Sequence, residues 1–117
     1  MEQLNRVQLR GRIGNVRTAQ VGEKQVCHFS VATNIVYRGA DGQTVEEVTW
    51  HNCNFWSNRK YPDLSFIKVG MPVELTGRMK SDRYQASDGT ERRSYEILAF
   101  EVTALDDKEI LKSEVAL

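Results

Sequence analysis

The sequence predicts an all-β fold in which five strands close into a small barrel. Apolar residues recur at every second position almost throughout, which is the period of a strand and not of a helix. Two turn clusters, at 39–43 and 86–91, separate long alternating segments and predict two long hairpins. With 117 residues, of which 40% are hydrophobic, the chain is long enough for one domain with a real core.

Five strands are predicted from this alternation. They are 5–13, 25–37, 45–56, 71–85 and 92–105. Val7, Leu9 and Ile13 form the apolar face of the first strand, and Cys27 and Phe29 begin that of the second. Five β-segments in two long hairpins, with a short helix after the third segment, indicate a small closed barrel.

The one short helix is predicted between the third and fourth strands. A Pro-Asp pair at 62–63 is a suitable start and Gly70 a suitable end. Only a turn or two fits between them, around Leu64, Phe66 and Ile67.

Composition restricts the possible functions only weakly. The net charge is zero, although residues 1–60 hold eight Lys or Arg against five Asp or Glu, so a basic surface would be local. The N-terminus is polar and no apolar run approaches a membrane span, so a cytoplasmic protein without membrane contact is expected. No linker or repeat divides the chain, which predicts one domain at 1–105 and a short C-terminal tail at 106–117.

The residues that could carry chemistry predict neither catalysis nor a metal centre. Cys27 and Cys53 lie in apolar runs and are expected to be buried thiols in a reducing compartment. Alternation sends Cys27 and His28 to opposite faces, and paired CxxC spacing is absent, so no zinc site is expected. His51 is expected to be a core histidine bonded to a backbone carbonyl. No nucleophile elbow, P-loop or HExxH motif is present, so neither an enzyme nor a cofactor is expected.

The third strand, VTWHNCNFW at 48–56, carries both tryptophans of the chain. One of its faces holds Thr49, His51, Cys53 and Phe55, and the other holds Trp50, Asn52, Asn54 and Trp56. Burying two amides would cost roughly 1–3 kcal/mol for each group left unpaired, whereas Cys53 and Phe55 fit a barrel interior. The face with both tryptophans is therefore predicted to point outward.

The fourth strand places cations beside this face. Val73, Leu75 and Met79 are predicted to point inward, which leaves an outward set of Arg78, Lys80 and Tyr84. Bases stack on aromatic side chains for roughly 1–3 kcal/mol each, while Arg and Lys follow the phosphates. The pattern also fits a subunit interface, in which Trp and Tyr are enriched, so both interpretations stay open at this point.

Five segments of the chain, in their order and spacing, resemble the bacterial single-stranded DNA-binding proteins. They are LNRVQLRGRIG (4–14), FSVATN (29–34), TWHNCNFW (49–56), KVGMPVELTGRMKSDRY (68–84) and DGTERRSYEI (88–97). Each is weak alone, but together they extend over nearly the whole of residues 4–105. The resemblance implies a five-stranded oligonucleotide/oligosaccharide-binding fold (OB-fold), a homotetramer, and sequence-independent binding of single-stranded DNA in replication, recombination or repair.

The family stacks bases on four aromatic positions, which fall here on Tyr37, Trp50, Trp56 and Tyr84. Three of these also follow from alternation. Tyr37 does not, because alternation places it on the core face of its strand, so its exposure would require twist or a β-bulge. Phosphate contacts are predicted for Arg10, Arg12, Arg78 and Lys80, with Arg38, Arg59, Arg83 and Arg92 as possible additions.

Two departures from the family accompany this resemblance. The predicted helix is shorter than usual. Members also commonly continue into a flexible Gly/Pro/Gln-rich linker and an acidic tip closed by Pro-Phe, which recruits other enzymes, whereas this sequence ends in KSEVAL, so recruitment through a tip is not expected. An OB-fold accessory subunit of the primosomal type, which would dock a protein through its outward aromatics, is the alternative interpretation.

Overall fold

Five long strands form a closed barrel in the computed structural model, which describes residues 1–108. The strands are β1 (Val7–Val21), β2 (Lys24–Arg38), β3 (Thr44–Trp56), β4 (Pro72–Gln85) and β5 (Glu91–Ala104). Their order around the barrel is β1-β2-β3-β5-β4, and every pairing is antiparallel except that of β3 with β5. This is the arrangement of the OB-fold, so the predicted fold class is confirmed.

Three hairpins join the strands, one more than predicted, and the additional one connects β1 with β2. The two predicted turns are present, and in each a glycine has positive φ, Gly42 at 81° and Gly89 at 85°. β1 was expected to end at residue 13 but continues to Val21, where it turns directly into β2 and pairs with it. A register shift between Ile13 and Val16 interrupts the alternation of β1, which hides its second half in the sequence.

The barrel interior is filled by the apolar faces predicted from alternation for the first four strands, by residues of β5, and by two residues of the loop between β3 and β4. The core consists of Ile13, Cys27, Phe29, Val31, Cys53, Phe55, Leu64, Ile67, Val73, Leu75, Ile97, Ala99 and Val102. Both cysteines are free and buried, as predicted. Burial raises the pKa of the Cys53 thiol to about 12, and it also raises the pKa of Cys27 against a lowering hydrogen bond with Thr18. Both therefore pack as neutral thiols.

The predicted helix between β3 and β4 is wrong, because the segment forms turns instead. The Ile67 N–H donates to the Leu64 carbonyl at 3.2 Å, which closes a single turn. The Leu64 N–H donates to the Gln25 side chain at 3.0 Å, which ties this turn to β2. Leu64 and Ile67 are nevertheless buried in the core, which explains why the apolar spacing imitates a helix.

The β4–β5 hairpin extends beyond the barrel. The last buried residues of this pair are Gly77, Ile97 and Ala99, and all of 78–85 and 91–95 is exposed on both faces. Met79 was predicted to point inward, but 42% of it is exposed because the strand has already left the core at this point. The prediction of which β4 side chains are buried and which are exposed is therefore correct only as far as Gly77.

The structure also bears on the expected lack of a membrane span and on the C-terminal tail. No helix within residues 1–108 is long and apolar enough to cross a bilayer. Most of the predicted C-terminal tail, 106–117, lies outside the described residues.

Candidate nucleic-acid interface

The outer face of β3 carries both tryptophans, as predicted. Trp50 is 57% exposed and Trp56 is 40% exposed, whereas Phe55 and Cys53 between them are buried in the core. The two tryptophans are six residues apart on one strand, which separates them by roughly 20 Å. We call this side of the barrel the outer face: it comprises Trp50, Asn52, Asn54, Trp56 and the residues paired with them on neighbouring strands.

The side chain of Trp50, a residue of β3, packs against β1. It is paired with Ala32 on β2, and Ala32 is paired with Arg12 on β1, so the three side chains form one row across the outer face. The indole ring covers Gly14, where a Cβ atom would lie 2.2 Å from Trp50 Cζ3. Only glycine leaves room for the ring in this position, so Gly14 positions Trp50.

The variant Gly14→Ala is expected to displace the Trp50 ring and to weaken binding of single-stranded oligonucleotides, because its methyl group occupies the ring's place. The effect is measured by fluorescence anisotropy of labelled oligo-dT, in wild type and in a Trp50→Ala background. If Gly14 acts through Trp50, Gly14→Ala weakens binding in the wild-type background and has no effect in the Trp50→Ala background. Equal losses in both backgrounds would contradict the positioning role.

Asn54 departs from the prediction, because it points to the outer face but is only 9% exposed. It lies between His28 of β2 and Leu98 of β5, which close over it. His28 Nδ1 donates a hydrogen bond to Asn54 Oδ1, since an amide oxygen can only accept. The cost of burying this amide is thus reduced by a side-chain partner, whereas Asn52 stays exposed opposite Ser30.

One row of outer-face side chains extends across all five strands. It consists of Arg17, His28, Asn54, Leu98 and Arg78. Alternation placed His28 on the face opposite Cys27, but the residue was considered only as a zinc ligand. Arg17 was not among the candidates, because the register shift in β1 exchanges the inward and outward positions beyond Ile13. A glycine within an alternating strand, here Gly14, is the signal that could have indicated this bulge.

Trp56 lies at the end of the outer face, and Tyr84 lies on the same side of β4, where the β4–β5 hairpin continues this face beyond the barrel. Trp56 ends β3 and is paired with Val26, which is buried although it lies on this side of β2. Tyr84 lies near the end of β4, half-exposed and paired with Arg92. Tyr84 and Arg92 are therefore neighbours in the ladder of the projecting hairpin, while the Arg92 guanidinium lies 3.4 Å from the carboxylate of Asp88 in the turn.

Tyr37 is placed differently from the other three aromatics. The β2–β3 ladder runs from Val26 to Arg38 without a register shift, so no bulge turns Tyr37 towards the outer face. Tyr37 is half-buried, is paired with Val45 and alternates with the exposed Arg38. Only twist of the hairpin could bring it to the same ligand as Trp50, and its stacking role stays a prediction.

The four cations predicted to contact phosphates differ in how far they are already paired. Arg10 Nε lies 3.4 Å from Glu74, Arg12 Nη2 lies 2.8 Å from Asp107, and Lys80 Nζ lies 3.8 Å from Asp82. Arg78 makes no ion pair within residues 1–108. Exposed pairs of this kind contribute about 0–1 kcal/mol, so a phosphate can compete with each carboxylate. Arg78 is the cation with the least competition for a phosphate.

The four additional arginines do not lie together. Arg38 is at the end of β2, Arg59 is in the loop after β3, and Arg92 is beside Tyr84. Arg83 alternates with Tyr84 along β4, so it points to the opposite side of the hairpin. The structure thus groups Arg92, but not Arg83, with the outer face.

The prediction of His51 as a core histidine is wrong in two respects: the residue is only partly buried, outside the core, and its partner is not the expected one. His51 Nε2 and Thr33 Oγ1 are hydrogen-bonded at 2.9 Å, so a hydroxyl takes the place of the expected backbone carbonyl. Burial lowers the pKa of His51, which favours its neutral form. In the described part of the chain, no three His, Cys, Asp or Glu side chains are grouped so that they could hold a metal ion.

The comparison with known families agrees with this geometry. The model of the single-strand binding protein family matches residues 4–105. The chain belongs to this family. The predicted resemblance is therefore confirmed, and the five quoted segments lie within the matched range.

Relatives in bacteria and mitochondria are similar over most of this chain. Two single-stranded DNA-binding proteins, from Neisseria meningitidis serogroups A and B, are each 42% identical over 107 residues, which is 87% of this chain. The mitochondrial single-stranded DNA-binding protein of Oryctolagus cuniculus is 29% identical over 114 residues, covering 90% of this chain and 77% of the relative. This chain spans 60% of the length of each Neisseria protein.

Solved structures of the family have the same fold. The structure described as a Plasmodium falciparum SSB complex with ssDNA superposes with a TM-score of 0.75 at 22% identity, covering 91% of this chain and 98% of that one. A Thermus aquaticus single-stranded DNA-binding protein variant superposes with a TM-score of 0.74 at 16% identity, covering 90% of this chain and 52% of that one. At such low identity the likeness supports the fold.

Proposed function

We propose that this protein binds single-stranded DNA without sequence preference and protects it during replication, recombination or repair. The observation that carries the proposal is the pair of exposed tryptophans on one outer face. Stacking on such rings is possible for every base, because every base has a π-face. A protein named for single-stranded DNA binding that is 42% identical supports the same ligand.

The ligand would be held by two kinds of contact. Trp50, Trp56 and Tyr84 stack bases, and Tyr37 joins them if the hairpin twists far enough. Arg78, Arg12 and Arg10 attract the phosphates, with Lys80 weakened by its neighbour Asp82 and by Glu96 opposite. Duplex DNA is a poor ligand for this face, because its bases are already stacked on one another.

The proposed function also includes where the protein acts and how it assembles. The protein acts by binding alone, without catalysis, and in the cytoplasm at the nucleoid. It assembles as a homo-oligomer, with a tetramer as the expected state from family resemblance. An accessory role that docks another protein through the exposed aromatics is the second candidate, since Trp and Tyr are also favoured at protein interfaces.

Salt dependence separates the two candidates. If phosphates are contacted, the affinity for oligo-dT falls linearly in a plot of log affinity against log salt, by about 0.7 in slope for each contact on a single strand. The measurement is a titration of labelled oligo-dT at several salt concentrations. An affinity that does not change with salt, or no binding at low salt, would contradict DNA binding and favour the accessory role.

A further inference from the structure

The β4–β5 hairpin has a second exposed side that the outer face does not use. Side chains alternate along each strand, so the residues between Arg78, Lys80 and Tyr84 point the other way. We call this side the reverse face: it comprises Met79, Ser81, Arg83, Arg93 and Tyr95. All of them are exposed, because the hairpin has left the barrel and no core covers this side.

The reverse face concentrates positive charge. Arg83 and Arg93 are directly opposite each other in the ladder, which places their Cβ atoms about 4.5–5.5 Å apart and makes the pair unfavourable by itself. Glu91 lies 3.5 Å from Arg83, while no ion pair of Arg93 occurs within the described residues. Arg83, Glu91 and Arg93 line an open cavity of about 220 Å³ together with Arg92, the neighbour of Arg93 that the ladder assigns to the other side of the hairpin. An anion in this cavity would relieve the repulsion between the two arginines.

The reverse face also offers an aromatic ring. Tyr95 is 59% exposed and is paired with Ser81, whose short side chain leaves the ring uncovered. The exposed Met79 follows Ser81 on the same side and extends the apolar surface. Both sides of the hairpin thus combine an aromatic ring with arginines, Tyr84 with Arg92 on one and Tyr95 with Arg93 on the other.

The arginines of the reverse face make a second copy of this chain an unfavourable ligand for this face. A two-fold interface brings the same patch of both copies together. It would place two copies of Arg83 and Arg93 against each other, with only Glu91 of each copy to offset four cations. A polyanion with flat bases satisfies the arginines and the tyrosine together.

We propose that the reverse face binds a second stretch of the same single-stranded DNA, with phosphates at Arg83 and Arg93 and a base stacked on Tyr95. This rests on the proposed function of the outer face. The strand passes over the tip of the β4–β5 hairpin and contacts both of its sides. A short oligonucleotide is held by the outer face alone, whereas a long one reaches both.

The test compares two oligo-dT ligands: one of about 8 nucleotides, within the roughly 4–16 that a single OB-fold covers, and one of about 30, which exceeds that range. Tyr95→Ala and Arg93→Gln are expected to weaken binding of the long ligand about fivefold or more, and to leave the short ligand within about twofold. Lys68→Gln removes the same charge from the loop between β3 and β4 and is the matched control. Unchanged melting temperatures establish that the variants are folded.

Three results would overturn the proposal. Unchanged binding of the long ligand by both variants, with the short ligand still bound, would refute the reverse face but not the outer face. Failure of the wild-type chain to bind either ligand would refute the proposed function and the reverse face together. A change in oligomer mass by light scattering in Tyr95→Ala, with no change in DNA affinity, would assign this side to a contact between copies.

Discussion

Trp50→Ala is expected to weaken binding of single-stranded oligo-dT by about 1–3 kcal/mol, which is about 5- to 150-fold in affinity. The ring is more than half exposed and is held over Gly14, so its removal takes away a stacking surface without opening the core. The melting temperature should change little. The measurement is the anisotropy of labelled oligo-dT at one fixed salt concentration, since the affinity depends on salt.

Val48→Ala is the matched control for this experiment. Val48 lies two residues from Trp50 on the same outward side of β3 and is about half exposed, but it has no ring on which a base could stack. It should leave the affinity nearly unchanged. If Val48→Ala weakened binding as much as Trp50→Ala, the surface would act by general apolar contact, and stacking would not be the mechanism.

Phe55→Ala is expected to lower the free energy of unfolding by about 3–5 kcal/mol, because it removes a large side chain from a closed core. Phe55 is 1% exposed and its ring meets Tyr61 edge to face, with centroids 5.0 Å apart. Tyr61 in turn stacks on Phe66 at 6.0 Å, so the same substitution loosens the loop between β3 and β4. Urea unfolding followed by circular dichroism measures the loss.

Trp56→Ala provides the comparison, since Trp56 is the next residue and points the other way. Its removal should cost about 1 kcal/mol of stability or less, as for other partly exposed positions, while weakening DNA binding. A large loss of stability in Trp56→Ala, or a small one in Phe55→Ala, would mean that the inward and outward faces of β3 have been exchanged.

The contrast between Phe55 and Trp56 shows what the sequence could predict. Alternation separated the two faces of β3 at its C-terminal end, because burial of Cys53 and Phe55 leaves no unpaired polar group in the core. Thr49, also predicted to point inward, is exposed. The same argument placed Val73 and Leu75 inward, and the turn residues of both long hairpins follow from glycines with positive φ. Local chemistry was sufficient wherever one face of a strand meets the core.

The errors arose where tertiary context overrides alternation. Met79 continues an apolar pattern beyond the point at which β4 leaves the barrel. Arg17 was missed because a bulge in β1 exchanges its faces, and the partner of Asn54 is a histidine on another strand. Leu64 and Ile67 have helical spacing, but a single turn is enough to bury both, and its Leu64 N–H donates to Gln25 of β2. The structure at each of these positions is set by contacts between segments that are distant in sequence, which alternation cannot detect.

Intrinsic tryptophan fluorescence tests the central claim most directly, because both tryptophans of the chain, Trp50 and Trp56, lie on the outer face. Titration with single-stranded oligo-dT at low salt should quench their emission strongly as bases stack on the rings. The same titration with a duplex of equal length should quench it much less. Absence of quenching by the single strand, or equal quenching by the duplex, would contradict the assignment of this face to single-stranded DNA.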